Sequence, residues 1–425
     1  MAKNAQQRSI QVYAGWVGLE QPVLMGTLHS TQVRGKEVFS FEYADAWLQS
    51  GNVQNLDPDL QFYSGQQYLG EGKSNFGIFL DSSPDRWGRV LMDRREALLA
   101  RKEERKARTL FEADYLLGVF DGHRMGALRF KEDEAGEFLN KNKEMASPPW
   151  TSIRELEEAS LRFEEDDVDD TEKMKWLNML MAPGSSLGGA RPKASVLDTK
   201  GQLWIAKFPS KNDNKDVGAW ENVVHELAVQ AGLNVADAMT GMYYSKQHTF
   251  LTKRFDRNVK GERTHFASAM TLLGHADGTN FQSGVSYLDL AGFIMQNGAK
   301  PDQDLEELWM RIVFYICVSN TDDHLRNHGF LLTAKGWILS PAYDMNPVET
   351  GNGLSLNISE KDNALDLDLA REVAPYFRLS AKRVEEIIDG VKKSVGGWEA
   401  LAEKQGISKT EREVMSKAFR YEEWR

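Results

Sequence analysis

The order of apolar and polar positions along the first part of the chain indicates a mixed unit of strands and helices. Residues 10–48 combine β-branched and aromatic residues with Gly and Pro, which predicts strands joined by hairpins. Helix-forming residues dominate from 82 to 117, and the sequence DGHRMGALRF then predicts a turn and a short strand. We therefore expect a first α/β unit that ends near Phe130.

The next stretch is polar and charged and closes with Pro-Pro, so it predicts a connection between units. It is followed by an acidic stretch with helical tendency. The run EEDDVDD within it could be a cation site, but an acidic surface is the commoner explanation. A second unit then starts at PGSSLGGARPKASVLD, followed by strand-like LWIAKFP, helix-like GAWENVVHELAVQAG and strand-like GMYYSKQHTFLTKRF.

Beyond residue 257 the pattern is mainly helical, as in DLEELWMRIVFYICVSN and AKRVEEIIDGVKKSV. One hairpin interrupts it, HGFLLTAKGWILSPAYD, with Ala334-Lys335-Gly336 at its turn. The chain as a whole predicts an α+β fold: a small sheet with one helix, and then a helical unit that holds a short hairpin.

Composition narrows the class of protein. At 425 residues the chain is long enough for two or three structural units. No apolar run reaches the roughly 20 residues of a membrane helix, and residues 1–40 lack the layout of a signal peptide, so we expect a soluble, cytoplasmic protein. The single cysteine, Cys317, excludes an intrachain disulfide. A net charge of −11 argues against broad binding to nucleic-acid phosphates.

The sequence GSSLGGARPK, residues 184–193, is a candidate phosphate-binding loop. Its glycines would let backbone N–H groups approach phosphate oxygens, and Arg191 or Lys193 could neutralise the charge. It is not a Walker loop, because Ala190 and Arg191 stand where that motif needs Lys and Ser or Thr. Taken alone, the motif is better explained by a simple hairpin turn.

Lys207, in the predicted strand WIAKFP, resembles the strand lysine with which protein kinases hold the phosphates of ATP. Such a lysine needs a carboxylate from a neighbouring helix. The predicted helix that follows offers Glu221, with Glu226 as the weaker candidate.

Asp322, Asn327 and Asp344 have the spacing of a kinase catalytic loop. Asn327 follows Asp322 by five residues, and Asp344 comes after the predicted hairpin. One carboxylate would deprotonate the attacking hydroxyl, while an amide and a second carboxylate would hold Mg²⁺ on the phosphates. This order of residues favours a kinase.

A metal site of two histidines and one carboxylate is the rival interpretation. His324 and His328 are four residues apart and, with Asp344, could ligate zinc or iron. A strand must begin near His328, however, which would break the shared helical face. No Glu lies between the two histidines as it does in H-E-x-x-H.

Three motifs, GSSLGGARPK, NTDDHLRNHGF and LSPAYDMNP, together with a first domain that contains VYAGWVG, resemble the HipA family of serine/threonine-kinase toxins. The resemblance implies a protein-kinase-like two-lobed fold behind an extra N-terminal α/β domain. It also implies ATP and Mg²⁺ as cofactors and a protein as substrate. A helix-turn-helix antitoxin would be the partner, and the protein would contact DNA only through this antitoxin. The implied segments are the N-terminal domain 1–130, a linker 131–150, the small lobe 151–257 and the helical large lobe 258–425.

The same resemblance assigns roles to individual residues. Asp322 would be the catalytic base, Asn327 and Asp344 the Mg²⁺ ligands, and Lys207, supported by Glu221, the phosphate lysine. The remaining nucleotide contacts would come from the Gly-rich segment, the hinge and two flanking residues: Gly188, Gly189, Ala190, Arg191, Pro192, Lys193, Lys253, Arg254, Phe255, His324 and Tyr343.

Regulation is also implied by the resemblance. Ser186 matches the serine that family members phosphorylate on themselves to switch the enzyme off, and adjacent Ser185 is an alternative acceptor. A phosphate there would repel the nucleotide phosphates. Two other functions stay open: a small-molecule kinase of the choline or aminoglycoside type, and a scaffold that only binds its antitoxin.

Overall fold

The structure is a computed structural model, and it describes residues 7–51, 54–70, 72–141, 148–164, 169–181 and 189–421. The chain folds as two compact units. The first comprises Met1–Lys211 and Asp256–Ala267, and the second comprises Asn212–Phe255 and Ser268–Arg425. The four lobe boundaries predicted from the sequence stay a prediction.

A five-stranded antiparallel sheet forms the first part of unit one. Its strands lie in the order β4-β3-β2-β1-β5. They are β1 Gln7–Ala14, β2 Val23–Val33, β3 Lys36–Tyr43, β4 Gln67–Tyr68 and β5 Leu128–Lys131. The turn between β2 and β3 has positive φ at both Arg34 and Gly35, as a tight two-residue hairpin requires. Alternate residues of β1 are fully buried, which confirms the strand pattern read from the sequence.

The helices of unit one lie between and after the sheet strands in the chain, and a hairpin follows them. The helices are α1 Asp45–Gln49, α2 Gly77–Asp81, α3 Arg86–Lys102, α4 Glu112–Gly118, α5 Ile153–Phe163 and α6 Asp170–Met181. The hairpin is formed by β6 Lys193–Leu197 and β7 Leu203–Lys207, with Lys193 opposite Lys207. Segment 256–267 joins this unit through ion pairs such as Arg263 to Asp121, at 2.8 Å.

Unit two is mainly helical. Its strands are β8 Ala238–Gly241, β9 Thr249–Lys253, β11 Gly329–Thr333 and β12 Gly336–Leu339, while β10 Phe266–Ser268 spans the chain boundary between the units. Its helices are α7 Val217–Ala231, α8 Ala269–Leu272, α9 Tyr287–Asn297, α10 Pro301–Val318, α11 Leu367–Val373, α12 Ala381–Val395, α13 Trp398–Lys404 and α14 Lys409–Met415.

Two helices of unit two matter for the candidate site, and both have recognisable ends. At the start of α7, the Asp216 carboxylate accepts the Ala219 N–H at 3.1 Å, and the helix ends at Gly232 in the left-handed conformation. Helix α10 begins with Pro301 and ends at Ser319, which has φ +49. Nearly every residue in the second half of α10 is buried, so this helix is a rigid support.

The structure confirms the predicted helices α7, α9, α10 and α12 and the hairpin β11–β12. It differs in one place. The stretch GMYYSKQHTFLTKRF is not a single strand, because β8 ends at Gly241 and β9 starts only at Thr249. A hydrogen bond from the Gln247 N–H to the Ser245 hydroxyl closes the intervening turn.

Cys317 is fully buried in α10, and burial raises the pKa of its thiol to about 12. Within the described part of the chain, no helix combines the length and the apolar composition that a membrane span needs.

Replacing Gly336 with Ala should destabilise the hairpin that carries the chain towards Asp344. Gly336 has φ +125, and an added Cβ would lie 2.6 Å from the carbonyl oxygen of Asn297. We expect a loss of about 1 to 3 kcal/mol in the free energy of unfolding, measured by urea denaturation. Lys335→Ala, at the exposed neighbouring turn position, is the control and should leave the midpoint unchanged. Equal stability of the two variants would contradict the argument.

Candidate functional site

The polar loop 320–328 begins where α10 stops. Ser319 adopts the left-handed conformation, which turns the chain sharply out of the helix. The side-chain oxygen of Asn320 then accepts the Asn346 N–H at 3.0 Å. This bond joins the start of the loop that carries Asn327 to the segment that follows Asp344. The backbone segments of the two predicted Mg²⁺ ligands are therefore connected.

Asp322 and Asn327 are joined by a hydrogen bond across the loop. The Asn327 Nδ2 donates to the main-chain oxygen of Asp322 at 2.7 Å. This orients the amide, and its Oδ1 is left buried with no hydrogen-bond partner. The Asp322 carboxylate points the other way, since 76% of the side chain is exposed to solvent.

Asp323 behaves in the opposite manner to its neighbour. Its side chain is fully buried and accepts hydrogen bonds from the Tyr287 hydroxyl and, at 2.7 Å, from the Ser355 N–H. Burial raises the pKa of Asp323 to about 7, against the effect of these hydrogen bonds. Asp323 therefore anchors the loop, a function that the sequence did not reveal.

Asp344 lies near enough to Asp322 to affect the pKa of the Asp322 carboxylate. Desolvation raises the pKa of Asp322, His324 lowers it, and the Asp344 carboxylate raises it. Because most of the Asp322 side chain meets water, solvent screens these effects strongly. The His324 Nε2 lies 4.0 Å from the Asp322 Oδ1. Asp344 itself has φ +57, an uncommon conformation for a residue with a side chain.

The rival metal site is not supported. His328 is fully buried, and its Nε2 lies 3.2 Å from the main-chain oxygen of Asp323. The rings of Tyr287 and Tyr315 lie against it, and burial lowers its pKa to about 3. Across residues 7–421, apart from the gaps given above, no three His, Cys, Asp or Glu side chains are grouped to hold a metal.

A hard cation such as Mg²⁺ fits the residues better. It needs only one or two protein ligands when nucleotide phosphates and water complete its shell. The Asn327 Oδ1 is a buried oxygen without a donor, which is costly unless a cation or water satisfies it. The Asn327 Oδ1 thus suits the oxygen ligand predicted from the sequence, and the role of Asp344 as the second ligand stays a prediction.

In unit one, the described part of the Gly-rich segment runs from Gly189 to Lys193. Lys193 is 3% exposed, and its ammonium forms an ion pair with the Asp85 carboxylate at 2.9 Å. The same carboxylate caps α3 by accepting the Gly88 N–H. Lys193 also donates to the Gly189 carbonyl at 3.3 Å, and Arg191 donates to the Phe208 carbonyl. The predicted phosphate contact of Lys193 stays a prediction, with its ammonium held by Asp85.

Ala190 is exposed and Pro192 is buried, while Gly188, Ser185 and Ser186 lie outside the described residues. Lys207 is at the end of β7, half-buried. Of its two candidate partners on α7, Glu226 is bound to the side chains of Asn222 and Gln405, at 2.9 and 3.2 Å. Glu221 is 4% exposed, and its predicted support of Lys207 stays a prediction.

The predicted hinge follows β9 in unit two. The Lys253 ammonium lies 3.4 Å from the Asp237 carboxylate, and Arg254 is buried. The ring of Phe255 lies 5.6 Å from the ring of Tyr343, so the hinge and the residue before Asp344 are neighbours. The Tyr343 hydroxyl donates to the Arg326 carbonyl at 2.6 Å, which also binds this segment to the loop.

Two residues of the site escaped sequence reasoning. Asp323 had no role assigned from the sequence, and Arg326, the basic residue three positions further on, lies 3.2 Å from Asp277. Asp85 was not considered at all. The available signal was its place in SPDRW directly before a helix, which indicates a cap but no ion pair.

The fold is that of a solved toxin structure. HipA of Shewanella oneidensis, determined with HipB and operator DNA, matches with a TM-score of 0.64 over 97% of this chain and 95% of its own. The two chains are 17% identical, so this likeness identifies the α+β, protein-kinase-like fold predicted from the sequence.

Two sequence matches extend the comparison. A protein of Haemophilus influenzae described as a putative kinase is 25% identical over 179 residues, or 38% of this chain. The match spans only about half of that relative, 52% of its length. The family described as the HipA-like C-terminal domain matches residues 185–398, which contain the predicted nucleotide and metal residues. Since this match covers half of the chain, the protein belongs to the HipA family, as the motifs had predicted.

Proposed function

We propose that this protein is an ATP-dependent protein serine/threonine kinase that acts as the toxin of a toxin–antitoxin pair. The observation that carries the proposal is the loop geometry: Asp322 is exposed, while Asn327 presents a buried, unpartnered oxygen beside it. Family membership and the kinase description of the Haemophilus relative support a phosphotransferase.

Asp322 would act as the base. Its exposed carboxylate can accept the proton of a serine or threonine hydroxyl on another protein. Desolvation raises the pKa of Asp322, and His324 opposes this effect. The hydroxyl oxygen bonds to the γ-phosphorus as the bond to the leaving ADP oxygen breaks. Asp323 and the Asn327 amide hold the backbone of Asp322 during this step.

Asn327 and Asp344 would hold Mg²⁺ through their side-chain oxygens. When bound, the ion neutralises negative charge on the phosphate oxygens. The chain contributes a fixed position for each ligand: Asn327 through its bond to Asp322, and Asp344 through the tie between Asn346 and Asn320.

The nucleotide would lie against residues from several elements. We assign Lys207 to binding the phosphates, with Glu221 as its support. The segment from Gly188 to Lys193 would cover the nucleotide, and the hinge from Lys253 to Phe255 would contact adenine. His324 and Tyr343 would flank the nucleotide. The position of Phe255 beside Tyr343 supports the assignment of these two residues.

A helix-turn-helix antitoxin is the proposed partner. The Shewanella structure contains HipA with HipB and operator DNA. A net charge of −11 supports an arrangement in which a partner, rather than this chain, neutralises the DNA phosphates. The proposed acceptor is a cellular protein, and the exposure of Asp322 suits a macromolecular hydroxyl.

Asp322→Asn should lower phosphoryl transfer by about 10²- to 10⁴-fold, because the amide cannot accept the hydroxyl proton. Transfer of label from γ-³²P-ATP to protein measures the rate, and circular dichroism checks folding. Asp302→Asn replaces a carboxylate on α10 that is 80% exposed and should retain full activity. Wild-type rates in Asp322→Asn would remove Asp322 from the mechanism.

Asn327→Ala should weaken metal binding, because it removes the buried Oδ1. We expect a higher Mg²⁺ concentration for half-maximal activity and a weaker Mn²⁺ affinity in the presence of a non-hydrolysable ATP analogue, measured by calorimetry. Asp302→Asn again serves as the control. Unchanged Mn²⁺ affinity would show that Asn327 is not a ligand.

Incubation with Mg-ATP should add one phosphoryl group to the protein, detected by intact-mass spectrometry. Ser186→Ala or Ser185→Ala should prevent the addition, according to which hydroxyl is the acceptor. An unmodified wild-type protein that phosphorylates a small alcohol would instead support the small-molecule kinase. Mg-dependent ATP binding without any turnover would support the scaffold.

A further inference from the structure

The segment 411–420 of unit two contacts three parts of the chain that carry the proposed chemistry. They are the end of α10 before Asp322, the segment after Asp344, and the start of α7, which carries Glu221. None of these contacts was predicted from the sequence, because residues 411–420 show only a helical pattern followed by basic and aromatic residues.

Arg420 makes the first two contacts. Its N–H donates to the Cys317 carbonyl at 2.8 Å, and its Nε donates to the Ser319 hydroxyl oxygen at 3.1 Å. Its Nη2 donates to the Gly351 carbonyl at 3.0 Å. The Ser319 hydroxyl in turn donates to the Ala418 carbonyl at 2.8 Å. Ser319 is fully buried with φ +49, so these bonds stabilise an uncommon backbone conformation.

The guanidinium therefore connects the two segments that carry the proposed base and metal ligand. Ser319 is three residues before Asp322, and Gly351 is seven residues after Asp344. The Ser319 carbonyl also accepts the Val348 N–H at 3.1 Å. A planar guanidinium with donors in fixed directions is suited to joining two acceptors at once.

The third contact involves Phe419 and Glu411. The Phe419 ring stacks on Trp398 with centroids 4.4 Å apart and lies 6.0 Å from the ring of Trp220 on α7. The Glu411 carboxylate accepts the Trp220 Nε1–H at 2.7 Å and the Asp216 N–H at 3.0 Å. Trp220 directly precedes Glu221, so the same segment determines where this part of α7 lies.

We propose that the segment 411–420 is a positioning element: Arg420 holds the loops of Asp322 and Asp344 together, while Glu411 and Phe419 hold α7 to the same support. This rests on the proposed kinase function for its catalytic consequence. Arg420 touches neither nucleotide nor acceptor in this scheme, and its effect is on the geometry of residues that do.

Arg420→Ala tests the proposal, since it removes the guanidinium but keeps the backbone N–H that binds Cys317. Hydrogen exchange of peptides that cover residues 317–327 and 345–351, measured without nucleotide, should be faster than in the wild type. At saturating ATP, kcat should fall by roughly ten- to a hundredfold, with a much smaller change in the KM for ATP.

Two further variants separate positioning from general stability. Arg420→Lys retains a cation with a single donor nitrogen and should recover part of the lost kcat, because Arg420 binds Ser319 and Gly351 through two separate nitrogens in fixed positions. Lys417→Ala removes an exposed cation three residues away and should behave as the wild type. If Arg420→Ala folds poorly, Ser319→Ala provides a second test, since it removes the hydroxyl that Arg420 binds.

The outcomes are distinct. Unchanged exchange in 317–327 and 345–351, or an unchanged kcat in folded Arg420→Ala, overturns the positioning function. A kcat that falls only in proportion to the unfolded fraction also overturns it. If the wild type transfers no phosphoryl group, the proposed function fails, and the exchange experiment alone still decides whether Arg420 holds the two loops.

Discussion

The buried carboxylate of Asp323 is the interaction on which the candidate site depends. Transfer of a carboxyl group out of water is costly unless hydrogen bonds compensate, and here the Tyr287 hydroxyl and the Ser355 N–H donate to it. Any shift of the loop would leave these groups unpaired inside the protein. The neighbouring Asp322 is therefore carried on an immobile backbone while its own side chain faces solvent.

This arrangement explains how one loop can serve both stability and chemistry. Asp323 and His328 are buried, and the Asp323 carboxylate accepts hydrogen bonds from protein groups, whereas Asp322 is exposed. Asn327 lies between these extremes: its Nδ2 supports the loop, and its Oδ1 is buried without a partner. A buried oxygen of this kind is expected where a ligand completes the structure. Arg420 adds a second, independent tie to the start of the same loop.

The Gly-rich segment shows that the local sequence does not predict the partner of a buried lysine. Arg191 or Lys193 was predicted to neutralise phosphate charge because both lie in a glycine-rich segment. The Lys193 ammonium pairs with Asp85, more than a hundred residues earlier, at a helix cap, and its phosphate contact stays a prediction. Both groups are almost fully buried, and a lysine without such a partner would not tolerate that environment. Nothing in the local sequence distinguishes a phosphate lysine from a structural one.

The sequence by itself determined the order of helices and strands, the hairpin between Asn327 and Asp344, and the five-residue spacing of Asp322 and Asn327. These follow from hydrophobic periodicity, turn residues and chain connectivity, all of which are local. Only the tertiary structure decided that Asp322 is exposed and Asp323 buried, that Glu226 is already bound on α7, and that Arg420 reaches Ser319 and Gly351. Such choices depend on which distant segments pack together, and spacing along the chain does not encode that.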